Sequence, residues 1–483
     1  MSGNFSDIQT REIGLQKSLT SRQLSMIAIG GAIGTGLFLG SKFAIGFAGP
    51  SVILSYLIGG TVALMLMAVL ASMTVQHPTS GSFGAYAEHY VSPLAGFLVR
   101  YMYWACIVLA VGTEVTAVGE YMQLWFPGVP PWIWVVVFSA ALILVNAMNV
   151  KSFGTLEYWF STIKVFAIIA FIVIAAGLVF FSGNPEYGAK NWTAEGGFMP
   201  NGISGMWFAV IVSIFSYLSI EMIAVAAGEA KEPEKAVKTA FRATILRLVI
   251  FYFCTLTLIV SIAPTSEILA GGSPFVTVMQ VIGIPFADSI LNFVVIIAAL
   301  SAMNSQLYIS TRMMFSLSRA GDAPRVFGKV RPNGTPLNAL MLSTGGIAVA
   351  TVIYVLNPEE AFTMMFAISM FGAMFTWGMI FVTYLFFRRR LAALGETEKY
   401  RIPGSRVAAI LGAAMMLAIM ISTAFTQEFR ATLPFGVPVL VLTVILYYAL
   451  RKRRGPAGVE PESLPARDRG QGQGSSSGAE GQV

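Results

Sequence analysis

Charge is scarce in this sequence. Only 11% of its 483 residues are charged, while 56% are hydrophobic. Soluble domains carry about 25% charged residues, so the composition excludes a soluble globular domain. Cysteine is almost absent. Cys106 and Cys254 both fall within apolar runs, which excludes a disulfide framework and makes them packing residues. Histidine is equally rare, with His77 and His89 in one polar connection. A histidine metal site or histidine proton relay is therefore not expected. Metal-ligand clusters and nucleophile–base pairs within reach of one span are also lacking, which argues against an enzyme. The net charge of +7 is accounted for by topology and gives no reason to expect a nucleic-acid partner. No cleavable signal peptide is expected, because the polar N-terminus leads into an apolar run that continues as a full span.

What the sequence does have is long apolar runs. A barrel would show short alternating segments instead. Runs of about 20 residues predict an all-α integral membrane protein with about twelve spans. They centre near 24–46, 51–73, 94–125, 132–149, 154–181, 204–228, 242–263, 286–316, 336–356, 361–387, 404–425 and 433–450. Alternate connections collect basic residues: Lys151; Lys231, Lys235, Lys238 and Arg242; Arg319, Arg325, Lys329 and Arg331; Arg388 to Arg390 with Lys399, Arg401 and Arg406. Both ends of the chain add more, whereas the opposite connections hold little beyond Lys42, Lys190 and Arg430. The positive-inside rule then predicts both termini to be cytoplasmic. Residues 1–20 read as a cytoplasmic N-terminal segment and 21–454 as the transmembrane domain. Residues 455–483, rich in Gly, Ser, Pro, Glu and Gln, read as a disordered cytoplasmic tail. Asn191-Trp192-Thr193 matches a glycosylation sequon, a triplet common by chance.

Gly30-Gly31-Ala32-Ile33-Gly34-Thr35-Gly36 interrupts the first run. Each glycine costs a helix about 1 kcal/mol relative to alanine, so a break is expected here. Gly30 and Gly34 also fit the spacing of a close helix-packing face, and residue types alone leave packing and binding evenly matched. If the segment unwinds, the N–H groups of Thr35 and Gly36 meet an anion and the Ala32 carbonyl meets an ammonium, which together suit a zwitterion. Broken helices of this kind build secondary-transporter sites. The sixth run has a second irregular centre, from Phe215 through Tyr217, Leu218 and Ser219 to Glu221. Lys164 lies ~15 Å inside its span at 1.5 Å per residue, too deep to reach the interface easily. Buried lysines lose proton affinity, so Lys164 is a candidate for proton coupling. Glu114 and Glu221 are intramembrane carboxyls, either structural or proton-carrying. Glu157 is placed near the cytoplasmic start of its helix, where the dipole favours an anion. Glu120 and Asp288 are expected near the outer surface and solvated. Asn304, Ser305 and Gln306 give the eighth run a polar patch, suited to interhelical hydrogen bonds. Trp104 and Tyr217 read as packing aromatics, and Phe215, beside the break, as a lining residue.

The motifs are more specific. They are Ile29-Gly30-Gly31-Ala32-Ile33-Gly34-Thr35-Gly36-Leu37-Phe38-Leu39-Gly40, Pro78-Thr79-Ser80-Gly81-Ser82-Phe83, Glu114 to Gly119 and Trp125-Phe126-Pro127. Further on come Phe153-Gly154 with Glu157, Ile163-Lys164-Val165, Ala226-Ala227-Gly228-Glu229 with Pro233, Asn304-Ser305, Ser310 to Met313 and Gly321-Asp322-Ala323-Pro324. From about Leu19 to about Arg454 the chain resembles bacterial amino acid permeases of the amino acid transporter family, within the amino acid–polyamine–organocation superfamily. The resemblance implies a LeuT-like fold of two inverted five-helix repeats with broken helices 1 and 6, plus two further helices. It implies alternating access in the plasma membrane, an amino acid or a close analogue such as GABA as substrate, and proton symport. Protons are the coupling ion and no cofactor is implied. By motif match the substrate site comprises Ala32, Thr35, Gly36, Phe215, Leu218 and Ser219, with Lys164 and Glu221 in proton coupling; the reading of the residues themselves adds Gly34 to the site and Glu114 to the coupling. Many relatives carry glycine where this chain has Tyr217-Leu218-Ser219, so no relative's specificity carries over. An exchanger on the same fold and an amino acid sensor are the alternatives. Oligomeric state is not legible.

Overall fold

A computed structural model describes residues 5–12, 15, 19–148 and 150–454 of the chain. The tail 455–483 and parts of the N-terminal segment lie outside the described residues. Helices form nearly all of what is described, and the one β contact is an isolated bridge between Leu19 and Ala230. In chain order the helices are α1 Phe5–Gln9, α2 Ser21–Ala32, α3 Thr35–Phe38, α4 Gly40–Ala48, α5 Val52–Gln76, α6 Ser82–Tyr90, α7 Pro93–Met122, α8 Pro131–Ala147, α9 Val150–Phe181 and α10 Ala189–Thr193. They continue as α11 Gly202–Tyr217, α12 Met222–Ala226, α13 Pro233–Ile262, α14 Thr265–Ala270, α15 Pro274–Ile282, α16 Ala287–Arg319, α17 Leu337–Ser343, α18 Gly345–Leu356, α19 Ala361–Leu394, α20 Ser405–Ser422 and α21 Thr432–Arg454.

Among the described residues, nine helical stretches are long and apolar enough to cross a membrane. One of them, Thr35–Gln76, contains two arms joined by the turn at Gly49–Ser51. Pro131–Ala147 and Leu248–Ile262 are shorter apolar helices. Local chemistry sets several helix starts. Thr20 Oγ1 accepts from Gln23 N, and Gln23 Oε1 accepts from Thr20 N at 3.0 Å, a reciprocal cap for α2. Ser92 caps α7 and proline occupies the first turn of α7, α8 and α13, where its missing N–H costs nothing.

The expected boundaries shift in several places. Helix α13 begins at Pro233, well before 242, because Pro233 starts a helix and the polar first turns remain helical. Helix α19 runs on to Leu394 and ends at Gly395, which adopts φ +68°. The connection between the seventh and eighth expected spans folds into α14 and α15. Phe275 of α15 packs on Phe38 and Phe171, with ring centroids 4.7 and 4.8 Å apart. Lys42, counted with the outer loops, sits in α4 and donates to the Gly271 carbonyl at the end of α14. Glu157, expected close to the cytoplasmic start of its helix, lies two turns into α9 and is wholly buried.

Packing is concentric. In the stretch containing α11 and α12, 94% of the most apolar window is buried, against 17% for α21 and 28% for α20. The stretches with α16, α19 and α7 follow at 83%, 78% and 67%, so these helices surround α11 and α12 at the centre. On α9 one face packs inward while Phe166, Val173 and Phe180 stand exposed on the other, the pattern of a helix between a protein core and lipid.

Candidate functional site

Two interruptions meet at the centre. The first lies between α2 and α3, where Ile33 (φ −89°, ψ 83°) and Gly34 leave helical geometry. The second lies between α11 and α12, where Leu218 is extended and Ser219 takes φ +80°. Their contact depends on missing side chains. A Cβ on Gly36 would stand 2.8 Å from Ser216 Cα and 3.0 Å from Phe215 Cδ1. A Cβ on Gly34 would stand 2.8 Å from the Ala302 methyl and 2.9 Å from Glu114 Oε1. The glycine stretch thus serves as both a break and a close-packing face.

A helix break exposes two kinds of orphan group, carbonyls at one end and N–H groups at the other. Both find charged partners here. The Lys164 ammonium of α9 donates to the Ile33 carbonyl at 3.0 Å and to Ser301 Oγ of α16 at 2.8 Å. It therefore sits at the negative end of α2. The Thr35 N–H donates to Glu114 Oε2 of α7 at 3.1 Å, which places a carboxylate at the positive end of the α3–α4 half-helix. Gln306 Nε2 lies 3.5 Å from Glu114 Oε1. Lys164 is wholly buried and Glu114 nearly so.

Tyr252 of α13 ties the two breaks together. Its hydroxyl lies 2.7 Å from both the Ala32 and the Ser216 carbonyl oxygens. Tyr56 adds a contact with Ser216 Oγ at 2.9 Å. Phe215, 4% exposed, packs edge-on against Phe366 at 4.1 Å between centroids. Glu221 holds the second break. Its Oε1 accepts from the Ser219 N–H at 3.2 Å and from the Tyr103 hydroxyl, and its Oε2 accepts from Trp377 Nε1 at 3.2 Å. The Ser219 hydroxyl is buried without a hydrogen-bond partner.

The fold thus gathers Ala32, Gly34, Thr35, Gly36, Phe215, Leu218 and Ser219 around one junction, with Lys164 and Glu114 at the first break and Glu221 at the second. Trp104 lies elsewhere, donating to Ser343 Oγ at 3.1 Å. Tyr217 joins Tyr56 and Tyr252 in a packed aromatic group. Glu120 is exposed and accepts from the Tyr354 hydroxyl. Tyr252 and Ser301 carry no distinguishing sequence signal, since each is a single polar group in an apolar run. Among the described residues no group of His, Cys, Asp and Glu is arranged to hold a metal, and Cys106 and Cys254 are both free.

A family model described as "Amino acid permease" matches residues 23–455. The chain is 38% identical to the amino-acid permease RocC of Bacillus subtilis, over 92% of this chain and 97% of the relative. It is 36% identical to the probable threonine/serine transporter YbxG of the same organism, over 90% of this chain and 95% of the relative. It is also 36% identical to the aromatic amino acid transport protein AroP of Escherichia coli K12, over 92% and 97% of the two chains.

Proposed function

This chain belongs to the amino acid permease family, and we propose that it imports an L-amino acid, or a close analogue such as GABA, by proton symport with alternating access. Amino acid transport by a multi-pass plasma-membrane protein is the part its relatives support directly. The finer reading rests chiefly on one observation: Lys164 and Glu114 occupy the opposite poles of a broken helix at the centre of the bundle. Twelve spans in a 5+5 inverted arrangement, with both termini cytoplasmic, belong to the same proposal: the family resemblance implies the repeat, and the basic connections support the orientation.

The substrate's α-carboxylate takes the N–H groups that begin the half-helix at Thr35 and Gly36. Its ammonium takes the carbonyls at Ala32 and Leu218. Phe215 closes over the side chain, and the residues at 217–219 shape its pocket. In this scheme the Thr35 N–H is contested, since Glu114 holds it at 3.1 Å. A substrate carboxylate that displaces Glu114 leaves a second buried anion, which is costly unless it is neutralised. Glu114 then binds a proton, so substrate binding and proton uptake are linked.

The test is uptake into proteoliposomes with an inward proton gradient, using a uniformly ¹⁴C-labelled mixture of the protein amino acids. Accumulation that a protonophore abolishes is the expected result, and no accumulation overturns the proposal. Lys164→Ala is expected to lose gradient-driven accumulation while still folding, and full accumulation by that variant would remove Lys164 from the coupling. Acceleration by internal amino acid with no response to the gradient would mean exchange instead.

A further inference from the structure

Glu157 is a buried carboxylate that the scheme above does not use. It lies two turns before Lys164 on α9 and is wholly buried, as are Lys164, Ser301 and Asn304. Ser301 stands between the two charges. Its hydroxyl accepts from Lys164 Nζ at 2.8 Å and donates to Glu157 Oε1. Asn304 Nδ2 holds Glu157 Oε2 at 3.0 Å, and Asn146 Nδ2 of α8 holds Asn304 Oδ1 at 2.8 Å. That chain fixes the Asn304 amide, so the carboxylate cannot turn away from Ser301. Ser161 Oγ donates to the Met26 carbonyl of α2 at 2.8 Å and lies 3.3 Å from Glu157 Oε1. The other carboxylate near Lys164 is Glu114, on the far side of the first break.

We infer that Lys164, Ser301 and Glu157 form a proton relay that carries the coupled proton from the substrate site toward the end of α9 near Gly154. The inference rests on the symport reading above. The step balances with three groups. A Lys164 N–H bond breaks as its proton joins Ser301 Oγ, the Ser301 O–H proton passes to Glu157 Oε1, and a neutral amine and a neutral carboxylic acid result. A hydroxyl suits the middle place because it accepts and donates at once. A direct ion pair would hold the proton on Lys164, whereas an intervening hydroxyl lets it move without the charged side chains changing place. The direction follows from position. Glu157 lies one turn from Gly154, whose Cα packs where a Cβ would meet Gln23 and Leu19 at the start of α2. Glu157 here is a relay residue; Asn304 and Asn146 are positioning residues.

The test compares two modes of the same proteoliposomes, each read with the ¹⁴C amino acid mixture. One is accumulation under an inward proton gradient. The other is counterflow, in which internal unlabelled amino acids drive labelled entry without net proton release. Glu157→Gln keeps the shape and, with its oxygen toward Ser301, that contact; it removes the proton acceptor and gives up the bond from Asn304 Nδ2, which its own amide N–H group then faces. It is expected to lower accumulation by about tenfold or more while counterflow persists. Ser301→Ala is expected to do the same, and Ser301→Thr to restore accumulation together with its wild-type pH profile. Parallel loss of both modes in Glu157→Gln and Ser301→Ala would mean a structural role and overturn the relay. Full accumulation in either variant would also overturn it. Should Glu157→Gln fail to reach the membrane, the Ser301 pair decides the question alone. Wild-type protein that accumulates nothing would defeat the symport reading itself, a result distinct from any variant's behaviour.

Discussion

Two small residues at the central junction have opposite costs. Ser219 is held at φ +80°, a conformation that costs a residue with a Cβ roughly 1–2 kcal/mol. Ser219→Gly is therefore expected to raise stability by up to about 1 kcal/mol, the gain being reduced by glycine's greater freedom in the unfolded chain. Gly36→Ala runs the other way. Its Cβ would meet backbone, Ser216 Cα at 2.8 Å, and backbone cannot rotate aside. A loss of about 1–3 kcal/mol is expected, with loss of transport because the two breaks are forced apart. Thermal unfolding in detergent with uptake on the same preparations checks both variants. A stabilising Gly36→Ala or a strongly destabilising Ser219→Gly would contradict this geometry. The glycine at 36 was readable from sequence, but its partner was not, since Ser216 lies on another helix far along the chain.

Among elements, the short helix α1 has a docking site of its own. Phe5 stacks on His77 at 4.1 Å and meets His89 edge-on at 5.3 Å, so both histidines of the chain surround one ring. Arg11 and Arg100 both pair with Glu88 of α6, at 2.9 and 2.7 Å. Burial pushes the His77 imidazole down to about 4, with help from the charges of His89 and Lys399. His89 is also held below its usual value, by burial and then by Arg390, against the opposing pull of Glu88. Burial pushes Glu88 up, but Arg100 and Arg11 outweigh it and leave Glu88 low. Both histidines are thus neutral in the docked state, while an exposed histidine protonates near pH 6.5. Docking is at full strength above that value and weakens as pH falls from about 6.5 toward 4, with Glu88 adding to the loss only below its ordinary range. Amide hydrogen exchange over residues 5–11, corrected for the intrinsic pH dependence, should show more opening at pH 5 than at pH 7.5. Equal protection would mean that the histidines do not govern docking. The sequence marked this segment as polar and peripheral. It did not reveal that Phe5 and Ile8 are buried, because a five-residue helix has too few positions to show a periodic face.

For the whole molecule, the topology proposal makes an accessibility prediction. Lys190 lies on α10 and Lys399 between α19 and α20, with side chains 56% and 54% exposed. In a background carrying Cys254→Ser, Lys190→Cys is expected to react with an impermeant maleimide in intact cells. Lys399→Cys should react only after the membrane is opened. The reverse pattern would invert the assignment of both termini to the cytoplasm. The exposed apolar faces of α9, α20 and α21 fit the same view, since lipid takes the place of protein neighbours there.

The sequence by itself determined that the chain is a helical membrane protein, roughly where its long helices lie, and which family it joins. These follow from local quantities: apolar run length, scarcity of charge, and glycines that weaken a helix wherever it packs. It also marked Lys164, Glu114 and Glu221, because an ionisable group inside an apolar run is costly enough to stand out alone. Only the tertiary structure decided what those groups hold. The pairing of Lys164 with Ile33, of Glu114 with Thr35, and of Glu157 with Ser301 and Asn304 joins residues from separate helices. Such contacts are set by helix rotation and depth, which the periodicity of one helix cannot specify for its neighbour. Glu157 is the clearest case. Its place in the sequence suggested a position near a helix start, where the dipole favours an anion, and its neighbours in space made it a buried group beside the central site.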